Sequence, residues 1–162
     1  MRVAFQKEVA EPLELKRTGF FQPLDEELTA DAAFGGRLGS KEDPEHGYHY
    51  YPEHAAAGLW TTPTELVKVG VALSRSYRRG GFLKKKTARR MMTPVMDSYG
   101  LCIQWFNDDI VGHCGWNEGF LTNWIFSLKK EICVALMYNN APVAAGKAME
   151  NVVGAILENA KG

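Results

Sequence analysis

Residues 99–138 read YGLCIQWFNDDIVGHCGWNEGFLTNWIFSLKKEICVALMY, and the fold class turns on this stretch. Four short apolar or aromatic runs stand out in it: Tyr99 to Phe106, Ile110 to Cys114, Leu121 to Leu128 and Ile132 to Tyr138. They are separated by Asn107-Asp108-Asp109, by Gly115 to Gly119 and by Lys129-Lys130-Glu131. Runs of this length between turn residues predict strands, and connections this short predict an antiparallel meander of about four of them. Both alternating sets carry bulk: Leu101, Ile103 and Trp105 oppose Cys102 and Phe106, while Val134 and Leu136 oppose Ala135 and Met137. Both faces of the sheet therefore need cover, and helices must supply it.

The flanks provide such helices. After Pro142, the residues Ala145, Met149, Val152, Val153, Ile156 and Ala160 form an apolar stripe, with Lys147, Glu150, Asn151 and Glu158 outside it. Upstream, Thr62-Pro63-Thr64-Glu65 offers an N-cap threonine, a proline at the first helical position and a glutamate three residues after the cap. Leu66, Val69, Leu73 and Tyr77 continue at helical spacing to Gly80-Gly81, predicting a helix over residues 63–78. A shorter helical piece is expected over Thr87 to Met92, closed by Pro94. Near the start, Val3, Phe5 and Val9 predict a short helix that Pro12 ends. From Leu13 to about Tyr51 the periodicity disappears, and a loop that long is usually functional or leans on something else. The expectation is an α+β fold forming a single unit over 1–162. It comprises a helix plus a long irregular region (1–60), a helical region (61–95), and the antiparallel sheet with its C-terminal helix (96–162).

Composition narrows the function classes. At 162 residues and 46% hydrophobic the chain can bury a core, and 19 basic residues balance 19 acidic ones. No global field draws it to nucleic acid or an anionic membrane. The local group Lys84, Lys85, Lys86, Arg89 and Arg90 reads as a solvated basic face. Three cysteines, Cys102, Cys114 and Cys133, form no Cys-x-x-Cys pair, and reduced, mostly buried thiols are expected. No apolar run approaches the roughly 20 residues of a membrane span, and the first eight residues read as amphipathic helix, not as a signal peptide. As written, a cytoplasmic location is expected.

The segment with most chemistry in it is His113-Cys114-Gly115-Trp116-Asn117-Glu118-Gly119-Phe120. A glycine here lets another backbone approach an edge strand closely, as a site that holds an acyl substrate by main-chain hydrogen bonds requires. A histidine two residues earlier points to the same face. The plainer alternative is a glycine-rich hairpin whose histidine satisfies a neighbour.

In context this segment resembles the third motif of the serine β-lactamase and penicillin-binding-protein-like hydrolase superfamily, in the class C-related esterase- and peptidase-like branch where Lys-Thr-Gly is commonly His-x-Gly. Three further stretches agree, in the same order. Ala55-Ala56-Ala57-Gly58-Leu59-Trp60-Thr61-Thr62-Pro63-Thr64-Glu65-Leu66 resembles the family's Gly-Leu-x-Ser/Thr-Thr-x-x-Asp-Leu helix start. Met92-Thr93-Pro94 leading to Tyr99-Gly100-Leu101-Cys102-Ile103-Gln104-Trp105 resembles its Tyr-Gly-Leu-Gly-Trp strand, with Cys102 in place of a glycine. Glu11-Pro12-Leu13-Glu14-Leu15-Lys16-Arg17-Thr18 resembles the Glu-Pro-Leu-Gly-Met-x-x-Thr that follows the second catalytic motif. The resemblance runs from about residue 5 to residue 160.

It implies acyl-enzyme hydrolysis of an ester, peptide or β-lactam amide in the intact fold, with no cofactor and no metal. His113, Cys114 and Gly115 would bind substrate: His113 where the family's lysine sits, as an auxiliary group, and Gly115 on the strand along which substrate lies. Cys114 replaces a threonine or serine hydroxyl, which argues against penicillin-like substrates; a histidine suits esters or peptides, because imidazole exchanges protons near neutral pH. The family's Ser-x-x-Lys and Tyr-x-Asn motifs belong upstream of the position matching Met1, so no catalytic nucleophile is expected in this chain. Ser127-Leu128-Lys129-Lys130 spells the first but ends a strand, and Tyr138-Asn139-Asn140 spells the second at the end of the last strand. The expected partner is a missing N-terminal half, or a second copy meeting the uncovered sheet edge as a dimer; relatives of this kind are often exported. The alternative reading is a non-catalytic binding or assembly module derived from the same fold. His46, His49, Glu53 and His54 match no usual zinc spacing and are read as an aromatic loop's polar residues.

Overall fold

The computed structural model describes residues 1–35, 51–117, 119–139 and 143–159. The apolar runs pair as one four-stranded antiparallel sheet in the order β1-β2-β3-β4. The strands are β1 (Gln104–Trp105), β2 (Ile110–Asn117), β3 (Phe120–Ser127) and β4 (Cys133–Tyr138). This is the α+β meander expected, with two differences. β2 runs on through Gly115 to Asn117 and pairs there with Phe120, and Gly119 just before β3 takes φ 81°. The first run yields only two strand residues because the chain doubles back before them. Tyr99 bridges both Met96 and Gln104, Cys102 adopts φ 58°, and Leu101 N donates to Met91 O at 2.7 Å. Leu101 and Phe106 are consequently exposed, and Ile103 carries the buried side chain of that run.

The helices are α1 (Arg2–Phe5), α2 (Glu26–Asp31), α3 (His54–Ala57), α4 (Pro63–Arg79), α5 (Lys85–Met92) and α6 (Val143–Asn159). α1 widens into a π-type turn over Gln6–Ala10, which is the second half of the short first helix. Strand alternation divides the core in two. On one face Val111 and Phe126 pack with Leu73 of α4, Met92 of α5, Ile103 and Leu128, with Trp124 and Cys133 beside them. On the other, Ile110, Ile125 and Val134 pack with Val153 of α6. The α6 stripe is narrower than its sequence period indicates: Met149 and Val153 are buried, while Val152 is 46% and Ile156 39% exposed.

α4 holds the molecule together. Its Thr62 cap accepts from Glu65 N at 3.3 Å, and Trp124 Nε1 of β3 donates to Leu66 O at 2.9 Å. The expected capping box is only half formed, because the Glu65 carboxylate reaches across the fold instead. Its Oε1 accepts from Lys16 N at 2.7 Å, and its Oε2 accepts from Arg17 N at 3.0 Å and Thr18 Oγ1 at 2.5 Å. Burial alone pushes this carboxyl up, but the Thr18 hydroxyl, the Lys16 and Arg17 amides and the charge of Lys68 together hold it below the usual range. A depressed carboxyl stabilises the fold above its unfolded value and loses that stabilisation as pH falls through the folded one.

Glu65→Gln should therefore lower stability by about 2–3 kcal/mol in neutral denaturant titrations, since it leaves buried donors poorly matched. The deficit relative to the parent should shrink as pH is taken below the ordinary carboxyl value of 4.5. An unchanged gap between the two proteins across that range would show that the carboxylate charge is not what holds the 16–18 segment.

Candidate functional site

Main-chain hydrogen bonds alternate in direction along an antiparallel ladder. Phe106 N donates to Ile110 O at 2.9 Å and Gln104 is paired with Gly112, so the even-numbered residues of β2 turn their N–H and C=O groups away from β3. β1 goes no further than that pairing. Among the described residues, no strand lies beside β2 from His113 to Asn117, and the main-chain groups of Cys114 and Trp116 are directed outward from that edge. The side chains alternate the other way: His113, Gly115 and Asn117 share the α4 face of the sheet, and Cys114 and Trp116 share the α6 face.

A cleft of about 670 Å³ opens against this strand. One wall is His113, Cys114, Gly115 and Asn117 with Phe120, Thr122 and Trp124 behind them on β3; the other is the 56–63 segment and residues 21–33 of the irregular region. Asn117 Nδ2 donates to Ala57 O at 3.3 Å, and Trp60 meets Phe120 edge to face at 6.2 Å, which ties the two walls at one end. Gly19 and Trp60 exchange main-chain bonds of 2.9 Å each, and Gln22 exchanges bonds of 3.2 Å with the main chain of Tyr51. The described part of the irregular stretch, residues 19–33 with Tyr51, thus leans on the site. Within it α2 was not legible as a period, although Asp25 caps it by accepting from Leu28 N at 2.9 Å. Two charged lining residues, Arg17 and Asp31, neutralise each other at 2.6 Å.

This arrangement offers outward main-chain donors and acceptors, a neighbouring imidazole and aromatic walls. It can hold an extended, carbonyl-bearing chain alongside β2. His113, Cys114 and Gly115 all border the cleft, and all three are exposed. One lining residue went unnoticed in the sequence: Asn117, whose tether to Ala57 is long-range.

Of the two imitation motifs, the first has a structural role and the second borders the cleft through Tyr138 and Asn139. Ser127 is 2% exposed, donates to the Asp109 carboxylate at 2.9 Å, and accepts from Lys130 N at 2.8 Å, so its hydroxyl closes the β3–β4 turn. Asn139 Nδ2 donates to Phe34 O at 3.0 Å; Asn140 lies outside the described residues. So do His46 and His49, and among the described residues no three His, Cys, Asp or Glu side chains group as a metal site. Glu53 and His54 begin the short α3. No helix among the described residues is long and apolar enough to cross a membrane.

Comparison with known proteins places this geometry. The Beta-lactamase family model matches residues 1–157. D-amino acid amidase from Ochrobactrum anthropi SV3, solved with L-phenylalanine amide, superposes with a TM-score of 0.74 at 16% identity, covering 99% of this chain and 52% of the amidase. The same amidase with L-phenylalanine gives 0.73 at 16% identity, covering 99% and 54%. The octameric penicillin-binding protein homologue from Pyrococcus abyssi gives 0.62 at 22% identity, covering 94% of this chain and 37% of that protein. The chain thus spans about half the length of the amidase. No curated protein matches the sequence significantly.

Two glycines of β2 separate packing from site. A Cβ on Gly112 would collide with the Trp124 carbonyl, whereas a Cβ on Gly115 would meet nothing within 4 Å. Gly112→Ala should destabilise by about 1–3 kcal/mol in thermal or denaturant unfolding, as overpacking does. Gly115→Ala should stay within about 0.5 kcal/mol of the parent while narrowing the cleft. Equal losses at both positions would mean that Gly115 serves packing after all.

Proposed function

Since the chain belongs to the Beta-lactamase family, we propose that it carries the substrate-binding half of a serine hydrolase cleft and leaves the nucleophile to a polypeptide segment beyond its own 162 residues. The observation that supports this best is the open stretch of β2. Cys114 and Trp116 direct main-chain groups outward from the edge that β1 leaves open, and His113, Cys114 and Gly115 of the same stretch border the cleft. An ester, peptide or β-lactam amide lying antiparallel to that edge would accept from the Trp116 N–H through its acyl oxygen, and a substrate that carries an N–H beside the acyl group would donate it to the Trp116 carbonyl. In such a pose the N–H is positioned to stabilise negative charge developing on an acyl oxygen. Gly115 leaves room for that approach, and the His113 imidazole is within the same wall to orient the reacting group or relay a proton.

Acyl transfer also needs an activated hydroxyl beside a base. Ser127 is committed to its turn, and Ser74 donates to Ser127 O at 2.6 Å from the buried side of α4, so neither faces the cleft. On this reading the chain by itself forms no acyl-enzyme, and turnover requires a polypeptide that supplies the serine and lysine. The amidase relative was solved with L-phenylalanine amide, which is consistent with amide or ester substrates bearing an aromatic group; the Trp60, Phe120 and Trp124 wall would accept such a group.

The test combines nitrocefin and p-nitrophenyl ester turnover with intact-mass analysis after fluorophosphonate or β-lactam treatment. The chain is assayed alone and mixed with the N-terminal half of such a fold. Alone, no adduct and no turnover are expected. In the reconstituted mixture His113→Ala should lower kcat by about 10²-fold with a smaller change in KM. A covalent adduct on any serine of this chain would refute the proposal, and binding of acyl ligands without turnover in any mixture would favour a binding module.

A further inference from the structure

Nine of the chain's 19 Lys and Arg residues fall between positions 66 and 96, a span with no Asp or Glu, and the rest of the chain is correspondingly net negative. Overall neutrality therefore conceals a molecule with one basic side. The fold gathers these cations at the C-terminal end of α4 and on the outer surface of α5. Ala88 and Met92 turn inward from α5, so Lys85, Lys86, Arg89 and Arg90 are left to solvent. Arg89 lies over the Tyr77 ring at 5.5 Å, which joins α5 to the end of α4. There Arg75, Arg78 and Arg79 share the carboxylate of Glu131, at 2.8, 2.6 and 3.1 Å, and three guanidiniums on one carboxylate leave positive charge over. Lys84, Lys85, Lys86 and Arg90 pair with no carboxylate among the described residues. Sequence alone reads them as a solvated face, but the structure gives that face an apolar border. The chain leaves α5 through Thr93, whose N–H donates to Arg89 O at 2.9 Å, and returns at Leu101, whose N–H donates to Met91 O at 2.7 Å. Between them Val95 N donates to Tyr99 O at 2.8 Å and closes a tight tip. On this tip Val95 is 70%, Met96 72% and Leu101 53% exposed. Both of its ends are tied to the helical turn that carries Arg89 and Arg90, so large apolar side chains stand beside cations that nothing neutralises.

We propose that this face, made of the end of α4, the outer side of α5 and the 95–101 tip, docks the protein on an anionic phospholipid bilayer. Lysines and arginines close to anionic headgroups gain from the surface potential, and apolar side chains gain by entering the headgroup boundary. Either contribution alone gives weak, reversible binding; the two together give stable peripheral attachment. A nucleic-acid duplex would answer the cations through its phosphates but offers Val95, Met96 and Leu101 no apolar medium. A protein cover would need a matching set of carboxylates to take these lysines out of water. Location also fits. α5 sits on the β1 side, where Trp105 Nε1 donates to Met92 O at 2.6 Å, at the opposite edge of the sheet from β4. No residue from 67 to 112 borders the cleft, so lipid contact at this face leaves the β2 edge untouched. The proposal is independent of the hydrolase reading, because it uses none of the cleft's residues.

Co-sedimentation of the full chain with vesicles reads the attachment, using phosphatidylcholine alone and phosphatidylcholine mixed with phosphatidylserine, each at rising salt. Binding to the phosphatidylserine vesicles is expected to be about tenfold tighter or more, and to weaken as salt screens the cations. Lys85→Glu combined with Lys86→Glu should weaken it by about tenfold or more. Val95→Ser combined with Met96→Ser should remove the part that survives high salt. All four positions are exposed, so both variants should keep the parental melting transition, and loss of binding is then not loss of the fold. Val152→Ser combined with Ile156→Ser, on the exposed side of α6, should bind as the parent does. Equal affinity for the two kinds of vesicle would overturn the proposal, as would indifference to either the 85–86 or the 95–96 pair. Loss of binding in the α6 variant would overturn it too, by showing that lipid meets a different apolar surface. Tighter binding to a DNA or RNA duplex than to phosphatidylserine vesicles would make the face a nucleic-acid interface instead.

Discussion

The register of the β2–β3 hairpin is the constraint on which the rest depends. Eight residue pairs, from Ile110 with Ser127 to Asn117 with Phe120, determine which side of the sheet every side chain takes. A slip of one residue would send the side chains of His113 and Asn117 to the α6 face and bring those of Cys114 and Trp116 to the α4 face. It would also take Val111 of β2 out of the larger core cluster and set Ile110 in its place beside an unshifted Phe126. Gly112 locks the alignment by letting the Trp124 carbonyl come where no side chain fits. The same residue pairs with Gln104, at the last point where β1 lies beside β2. Order in the core and openness at the site therefore have one cause: a neighbouring strand that stops early beside a hairpin that does not.

Around this hairpin the fold is held by a few long-range polar contacts that join weakly structured segments to rigid ones. Glu65 anchors residues 16–18 to the first turn of α4, Trp105 Nε1 donates to Met92 O at 2.6 Å, and Ser74 binds both Ser127 O and Lys130 O. Each spans a boundary that apolar packing alone leaves loose. The cleft is built on that arrangement, with a stiff strand on one side and a tethered, irregular chain on the other, a common division between scaffold and binding loops.

Much of this was legible in the residues because period and punctuation are local. The three longer strands and the start of α4 at Pro63 followed from spacing, and the third-motif segment 113–115 does border the cleft. The failures came where a distant partner overrode a local preference. Tyr99 to Phe106 has strand composition, yet Leu101 N bonds back to Met91 O, and the left-handed Cys102 turns the chain before a strand can form. Glu65 has the position of a capping-box glutamate, but three donors at 16–18 outcompete Thr62 N for its oxygens. α2 lacks an apolar stripe and shows no buried residue, so period could not reveal it; only its aspartate cap was visible. The Arg17–Asp31 pair and the Asn117 tether depend on folding that no local window contains.

The three cysteines have different surroundings, and this has a bearing on how the molecule can be probed. Cys133 is packed against Trp124 under α4, and burial pushes its thiol up to about 12, so almost none of it is thiolate at neutral pH. Cys102 and Cys114 are exposed, against the expectation of mostly buried thiols, because one sits on the left-handed turn before β1 and the other on the edge that β1 leaves open. Alkylating reagents act on thiolates they can reach, and they will sort these sulfurs by location. Cys114 stands on the very strand that borders the cleft, so its rate of modification is a built-in gauge of whether that edge is occupied, with no probe having to be engineered.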